Sequence, residues 1–387
     1  MSKANENRSG YKHTPLGWIP YQWEVKRLGE ICPHFKSGFG ITSDQIFDKG
    51  EYPVYGGNGL RGYTNGFTHN GAYLLIGRQG ALCGNILRIS GKCYVSEHAI
   101  AVQTNGATDL DYLAYKLEYK NLNKLSESSA QPGLAVEKLV RLRVDLPTLD
   151  EQKRISAILS NWDEAIAKTQ QLIAQLQLRN KGLMQQLLTG KIRLKGFEAE
   201  WRKLHADEIF KSVSIKNKAG EQLLSATQDR GIIPRSMLEA RVTMPAGDTD
   251  SFKLVEKGDF VISLRSFQGG IEYSAYRGLV SPAYTVLKPA RQINDSFYKH
   301  YFKSYDFIGH LAVAVIGIRD GKQISYEDFS FLKLPYPVIK EQEAIAKVLD
   351  EAVREVKLHE EKLTALQVQK KGLMQKLLTG ELRIKII

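Results

Sequence analysis

Apolar residues recur at alternating steps of four and three in two long stretches of the chain. The first stretch has eight apolar residues among ten such positions: Ile155, Leu159, Trp162, Ile166, Thr169, Ile173, Leu176, Asn180, Leu183 and Leu187. Adding 190 to each number gives a second stretch, again with eight apolar residues: Ile345, Leu349, Ala352, Val356, His359, Leu363, Leu366, Lys370, Leu373 and Leu377. A seam this narrow is typical of a coiled coil. The pattern predicts two long helices that pack on each other in antiparallel orientation; homodimerisation through each seam is the alternative.

The ends of the two predicted helices repeat with the same offset. Residues 181–190 are KGLMQQLLTG and residues 371–380 are KGLMQKLLTG, identical at nine of ten positions. A proline precedes each helix, a glutamate lies near its N-terminus and a glycine follows its last turn. These residues are Pro147, Glu151 and Gly190 for the first helix, and Pro337, Glu341 and Gly380 for the second.

The helices divide the chain into four predicted domains. These are head 1 (residues 1–146), the first helix (147–194), head 2 (195–336) and the second helix (337–387). Both heads contain short β-type runs broken by glycine, such as YPVYGGNGLRGYTNG in head 1. We therefore expect an α+β fold, in which two globular mixed α/β heads are separated by two long, pseudo-symmetric, antiparallel coiled-coil helices.

Composition favours a polyanionic partner. The formal net charge is +12 and the isoelectric point is near 9.3, which points to nucleic acid before membrane. Three cysteines are too few for a disulfide framework. The polar N-terminus and the absence of a long apolar run predict a cytoplasmic protein without a membrane partner.

The glycine-rich loops of the heads carry side chains suited to DNA. Arginine and glutamine can pair with guanine and adenine edges, while lysine and tyrosine can hold phosphates. A surface salt bridge or a simple turn is the alternative for each residue. The candidates are Lys36, Asn58, Arg61, Tyr63, Arg78, Gln79 and Gln131 in head 1, and Arg265, Gln268, Arg319, Lys322 and Gln323 in head 2.

Two glycines interrupt the helical pattern at equivalent positions. Gly182 and Gly372 each cost a helix up to about 1 kcal/mol relative to alanine. Their repetition suggests either close packing of the two helices on each other or the approach of another protein.

No catalytic motif stands out in the sequence. The chain has no phosphate-binding GxxxxGK[ST] loop, no adenine-methylation motif and no histidine pair at metal-ligand spacing. Glu151-Gln152-Lys153 has the E-x-K spacing of a nuclease, but its repeat, Glu341-Gln342-Glu343, lacks the lysine. A structural role at the start of a helix is therefore favoured, and no metal or cofactor is expected in this chain.

The arrangement of motifs resembles the specificity (S) subunit of type I restriction–modification systems. The resemblance covers nearly the whole chain from about Trp18 and is carried by the order head–helix–head–helix. It also rests on the two helix starts with Glu-Gln, the two KGLMQ-x-LLTG helix ends, SAQPGL at residues 129–134, SPAY at 281–284 and GIRDGKQIS at 317–325.

The resemblance implies that the heads are target recognition domains, each recognising half of a bipartite, asymmetric DNA sequence. The helices would set the gap between the half-sites and dock two methyltransferase subunits through Lys181, Gly182, Met184, Gln185, Lys371, Gly372, Met374 and Gln375. S-adenosylmethionine would be bound by the methyltransferase subunits, and ATP and Mg by the restriction subunits.

Two other classes of function stay open at this point. One is a coiled-coil adaptor whose heads bind proteins. The other is an enzyme with a nuclease or modification site within a head.

Overall fold

The computed structural model describes residues 9–80, 82–126, 133–218, 220–238, 249–264, 266–314 and 324–384, apart from the side chains of residues 267, 268 and 312–314. Contacts divide the chain into two compact units. Unit 1 comprises Met1–Thr169 and Lys362–Ile387, and unit 2 comprises Gln170–Glu361. Each unit therefore contains one head together with a segment of each long helix.

The elements of head 1 are followed by the first long helix. They are β1 (Tyr11–Thr14), β2 (Gly17–Pro20), β3 (Glu24–Arg27), α1 (Leu28–Ile31), β4 (His34–Ser37), β5 (Tyr52–Gly56), β6 (Gly59–Thr64), β7 (His69–Asn70), β8 (Tyr73–Gly77), β9 (Ile86–Ile89), β10 (Lys92–Val95), β11 (Ala99–Gln103), α2 (Leu110–Lys120), α3 (Val136–Val140), β12 (Arg143–Leu146) and α4 (Leu149–Leu187).

The elements of head 2 are followed by the second long helix. They are β13 (Arg202–His205), α5 (Ala206–Ile209), β14 (Phe210–Val213), β15 (Leu224–Thr227), β16 (Gly231–Pro234), β17 (Lys253–Val255), β18 (Phe260–Ile262), α6 (Ser266–Gly269), β19 (Glu272–Tyr273), β20 (Gly278–Val280), β21 (Thr285–Pro289), α7 (Asp295–Tyr301), α8 (Tyr305–Ala314), α9 (Tyr326–Ser330), β22 (Lys333–Tyr336) and α10 (Ile339–Leu378).

A four-stranded antiparallel sheet lies at the centre of each head. The strand order is β4-β11-β8-β9 in head 1 and β14-β21-β18-β19 in head 2. Both faces of the first sheet are buried: Leu74 and Ile76 belong to the core that contains α2, while Leu75 belongs to a second cluster with Ala101. Because strand residues alternate between faces, a run of apolar residues marks a sheet that is covered on both sides.

The seams of the two long helices are confirmed, since all ten predicted positions of each helix are buried or half-buried. In unit 1, Lys370 forms an ion pair with Asp163. In unit 2, the side-chain amide of Asn180 donates to the carbonyl of Ala352 at 2.7 Å. Leu187 and Ile345 share the core of that unit. Residue numbers rise on α4 as they fall on α10, so the helix segments are antiparallel within each unit.

A buried glutamate ties the start of α4 to head 1 and to the chain beyond α10. Glu151, which is 1% exposed, accepts from the guanidinium of Arg383 at 2.7 and 3.0 Å and from the indole N–H of Trp23 at 3.2 Å. Both carboxylate oxygens are therefore bonded. This arrangement supports the structural role predicted for the E-x-K segment.

An equivalent set of contacts is present in unit 2. Glu341 is also 1% exposed and accepts from Arg193 at 2.6 and 2.8 Å and from the indole N–H of Trp201 at 3.0 Å. Arg193 follows α4 as Arg383 follows α10, so the repeat of 190 residues places an arginine at both sites. We call these two sets of contacts the Glu–Arg–Trp anchors.

The glutamine after each of these glutamates connects a long helix to a head helix. Its side chain accepts from the backbone N–H of the residue that caps the head helix, and it donates to the proline carbonyl that precedes the long helix. The bonds are 2.8–2.9 Å long and join Gln152 to Asp109 and Pro147, and Gln342 to Asn294 and Pro337.

Among the described residues, only head 1 has a buried ion pair where its head helix meets the long helices. Lys116, 2% exposed, donates to the Asp145 carboxylate at 2.7 Å and to the carbonyl of Leu378 at 2.5 Å. Burial lowers the pKa of Lys116 to about 8, although the nearby Asp145 carboxylate opposes the shift. The lysine thereby satisfies a carbonyl in the last turn of α10, which no residue within the helix can reach.

We expect Lys116→Met to destabilise the protein by about 3–5 kcal/mol, because Asp145 would stay buried without its partner. The double variant Lys116→Met/Asp145→Leu should recover most of that loss. Denaturant unfolding of wild type and both variants measures the difference. Equal losses in the single and double variants would contradict the prediction.

The lowered pKa of Lys116 makes the free energy of unfolding depend on pH. Between about pH 8 and the usual lysine pKa of 10.5, the unfolded chain keeps a proton that Lys116 has released in the folded chain. The contribution of Lys116 to the free energy of unfolding therefore rises with pH in this window. The Lys116→Met variant should lack this contribution.

Candidate nucleic-acid interface

A cleft of about 450 Å³ opens at one end of the central sheet of head 1. Three segments form it: the turn between β5 and β6, the residues after β8, and the residue before β11. Asn58 lines it from the turn and Arg61 from the adjoining start of β6, while Gln79 lines it from the second segment and His98 from the third. The cleft therefore brings together three predicted DNA-binding residues from segments that are distant in sequence.

The turn reaches this position because glycines allow it. A Cβ atom on Gly57 would lie 2.7 Å from the carbonyl oxygen of His98 and 3.0 Å from the Cα atom of Gly77. Gly59 has a φ of +114°, which side chains other than glycine rarely adopt. The glycine-rich sequence that predicted a loop thus also permits close backbone contact between the cleft segments.

The other described candidates of head 1 lie outside this group. Lys36 is exposed on β4, and Tyr63 is half-buried on β6, where its backbone pairs with Phe47. Arg78 is half-buried, and its backbone N–H donates to the carbonyl of His98. Arg78 therefore adjoins the cleft through its backbone.

Six further candidates cannot be placed. Gln131, Arg265, Arg319, Lys322 and Gln323 lie outside the described residues, as does the side chain of Gln268. Their DNA-binding roles stay predictions.

His98 was missed among the candidates from sequence. Its Nδ1 atom lies 3.0 Å from Oε1 of Gln79, and its Nε2 atom lies 3.3 Å from the Glu97 carboxylate. The two heads share a Val-Ser step, Val95-Ser96 in head 1 and Val280-Ser281 in head 2, and this step just before His98 is the signal that the sequence offers for the segment.

Head 2 has a cleft of about 670 Å³ in the equivalent place. The turn after β15 contributes Gln228 and Asp229, the segment after β18 contributes Ser263, and Tyr284 lies just before β21. β15–β16 corresponds to β5–β6, β18 to β8, and β21 to β11. The same elements thus build both clefts, although their side chains differ.

Glu272 on β19 is the most buried acidic group of the second cleft. It is 2% exposed, and its Oε1 atom accepts from the Lys303 ammonium at 2.6 Å. Its Oε2 atom is buried and has no hydrogen-bond partner among the residues that the structure describes. Burial raises the pKa of Glu272, and Lys303 counteracts part of this effect.

Lys303 also organises the surrounding backbone. Its ammonium donates to the carbonyl of Gly269 at 2.8 Å and to that of Gln228 at 3.3 Å. Three segments of the cleft are therefore connected to one lysine. Sequence reasoning missed Gln228, Asp229, Glu272 and Lys303, because these residues are far apart and follow no shared motif.

The repeated helix ends present matching exposed groups. Lys181 and Gln185 on α4 are exposed, as are Lys371 and Gln375 on α10. The thioether side chains between them are half-buried and pack against the heads: Met184 in unit 2 and Met374 in unit 1.

Gly182 and Gly372 do not serve close packing of the two helices. A Cβ atom added to either glycine would meet no described atom within 4 Å outside its own helix turn. Of the two interpretations of these glycines, close packing of the two long helices on each other is therefore wrong. Open space at both positions leaves room for another molecule.

Within the part of the chain that the structure describes, no group of three or more His, Cys, Asp or Glu residues could hold a metal ion. The three cysteines are buried and free. None of the described helices is both long and apolar enough to cross a membrane.

Comparison with known proteins gives two matches to one family model. The model, described as "Type I restriction modification DNA specificity domain", matches residues 20–178 and 200–368. The EcoprrI specificity subunit of Escherichia coli is 44% identical over 142 residues, which are 36% of this chain and 35% of that protein. A putative MjaX specificity subunit of Methanocaldococcus jannaschii is 26% identical over 97% of both chains.

Solved structures share the fold at low sequence identity. The S subunit of a type I restriction–modification system from M. genitalium superposes with a TM-score of 0.62 at 17% identity, covering 94% of this chain and 97% of that chain. The HsdS subunit of Thermoanaerobacter tengcongensis gives a TM-score of 0.51 at 16% identity, with coverages of 94% and 98%.

The close backbone contact at Gly57 predicts that a larger residue at this position destabilises head 1. Gly57→Ala should destabilise the protein by about 1–3 kcal/mol, because the new methyl group overlaps the His98 carbonyl. Gly66→Ala is the control, since a Cβ atom there meets nothing within 4 Å. Thermal unfolding of both variants checks the prediction, and equal stabilities would contradict it.

Proposed function

This chain belongs to the type I restriction–modification DNA specificity family, and we propose that its two heads recognise the two halves of one split, asymmetric DNA sequence. As a member of this family the chain is a DNA-recognition subunit and not a catalytic one. The observation that carries the proposal is the pair of clefts. Equivalent elements build them, yet the side chains differ, as two different half-sites would require.

Charge supports DNA as the ligand of the heads. Each long helix carries almost as many acidic as basic residues, so most of the net charge of +12 comes from the heads and their flanking segments. Positive charge of this kind binds the phosphate backbone without regard to sequence, whereas polar groups such as those in the clefts can distinguish base edges.

The KGLMQ helix ends are the proposed docking sites for two methyltransferase subunits. Both present an exposed lysine, an exposed glutamine and an open glycine, at positions related by the 190-residue repeat. A nearly identical surface that occurs twice suits two copies of one partner. In the proposed complex, S-adenosylmethionine belongs to the methyltransferase subunits, and ATP and Mg belong to the restriction subunits.

A methylation map tests the proposal for the heads. The chain would be expressed with its neighbouring methyltransferase subunit in a host that lacks such modification, and N6-methyladenine would be detected by long-read sequencing. We expect a new split motif with a fixed gap that disappears when this chain is omitted. Absence of new methylation from a folded, assembled complex would contradict the proposal.

Leucine substitutions test the docking sites. Gly182→Leu and Gly372→Leu should leave the chain folded or slightly stabilise it, since leucine is a better helix former by up to about 1 kcal/mol. Both variants should weaken binding of the methyltransferase subunit at least about tenfold in calorimetric titrations, because a protruding side chain costs typically 1–3 kcal/mol in a packed interface.

The matched controls add leucine elsewhere on the same helices. Gln175→Leu and Gln369→Leu change exposed positions outside the KGLMQ segments and should bind the partner like wild type. Unchanged binding by the glycine variants, or equal weakening by the controls, would argue against docking at these sites.

A further inference from the structure

We infer that the two clefts recognise opposite hydrogen-bonding groups on DNA bases. The cleft of head 1 would bind the acceptor edge of guanine, and the cleft of head 2 would bind an exocyclic amino group of cytosine or adenine. This inference rests on the proposed function of the heads and assigns base chemistry to each of them.

The backbone frames of the two clefts correspond. Each lies where the third strand of the central sheet ends, between a hairpin turn and the residue that precedes the second strand. Side chains in the two clefts therefore occupy comparable positions relative to the sheet. A difference in their chemistry is then a difference in what each head can bind.

The cleft of head 2 offers acceptors. Glu272 Oε2 is buried without a partner among the described residues, a state that costs free energy unless a donor arrives. Asp229 adds a second carboxylate at the rim; its side chain is 76% exposed, and its Oδ2 atom lies 3.5 Å from the guanidinium of Arg230. Lys303 holds the other oxygen of Glu272, so the free oxygen is kept in position. In the major groove, a carboxylate accepts from the amino groups of cytosine and adenine.

The cleft of head 1 offers donors. The exposed guanidinium of Arg61 carries only N–H groups. The amide of Gln79 could in principle both donate and accept. Its Oε1 atom, however, lies 3.0 Å from His98 Nδ1. In the tautomer that carries a proton on Nδ1, the imidazole donates to this oxygen, and the amide N–H groups have no hydrogen-bond partner among the described residues. Arginine and amide donors match the O6 and N7 acceptors of guanine.

His98 is thus a positioning residue for base recognition. Without it, the Gln79 amide could rotate and present both an acceptor and a donor, which is the pattern that pairs with adenine.

The experiment compares methylation maps of wild type and single variants in the assembled complex with the methyltransferase subunit. Glu272→Gln and Asp229→Asn keep the size of each side chain and replace an acceptor oxygen by a donor amide. Both should reduce methylation of the wild-type motif about tenfold and alter base preference in one half-site only. Arg61→Gln and His98→Ala should alter preference in the other half-site only.

Two controls separate recognition from folding and from general charge effects. Thermal unfolding of each purified variant identifies any that fails to fold; since Asp229 is exposed, Asp229→Asn keeps the test valid if Glu272→Gln unfolds. Glu198→Gln removes an exposed acidic group elsewhere in unit 2 and should leave the motif unchanged.

The inference is overturned if folded Asp229→Asn and Glu272→Gln variants keep the wild-type motif, or if variants of both clefts alter the same half-site. A wild-type complex that yields no split motif would instead contradict the proposed function of the heads. One set of methylation maps therefore distinguishes failure of this inference from failure of the proposed function of the heads.

Discussion

The Glu–Arg–Trp anchors are the constraint on which the organisation of each unit depends. A carboxylate that is 1% exposed is costly to bury unless both oxygens are bonded, and Glu151 and Glu341 meet this condition only when an arginine and a tryptophan converge on them. Arg383 and Arg193 come from the segments that follow the long helices. Each anchor therefore holds together the start of one helix, the end of the other and the first strands of a head.

The polar seam residues add specificity to this organisation. Asn180 bonds to a carbonyl on α10, and Lys370 bonds to Asp163 on α4, whereas leucine at these positions would pack equally well in shifted registers. Head 1 carries a further buried pair, Lys116 and Asp145, at the end of α10. The two units thus share one frame but differ in the charged groups that they bury beside it.

In each unit, the residues that hold the helices and the head together differ from the residues that line the cleft. Glu151 and Gln152, which repeat with the 190-residue offset at the start of the second long helix, hold helices and heads together through their side-chain hydrogen bonds. The clefts, by contrast, are formed by turns and strand ends that lie outside the repeat. Their side chains can change without disturbing the anchors, which suits a DNA specificity domain.

Sequence alone determined the repeated long helices and their seams, because helical periodicity is local and was present twice. It also indicated Asn58, Arg61 and Gln79 as polar loop residues of head 1. Only the tertiary structure brought these three together with His98, and only it placed Glu272 beside Lys303 in the second cleft. Hydrogen bonds between segments that are distant in sequence produce no periodic pattern in the sequence. The geometry of the clefts therefore depends on how the strands pair and pack.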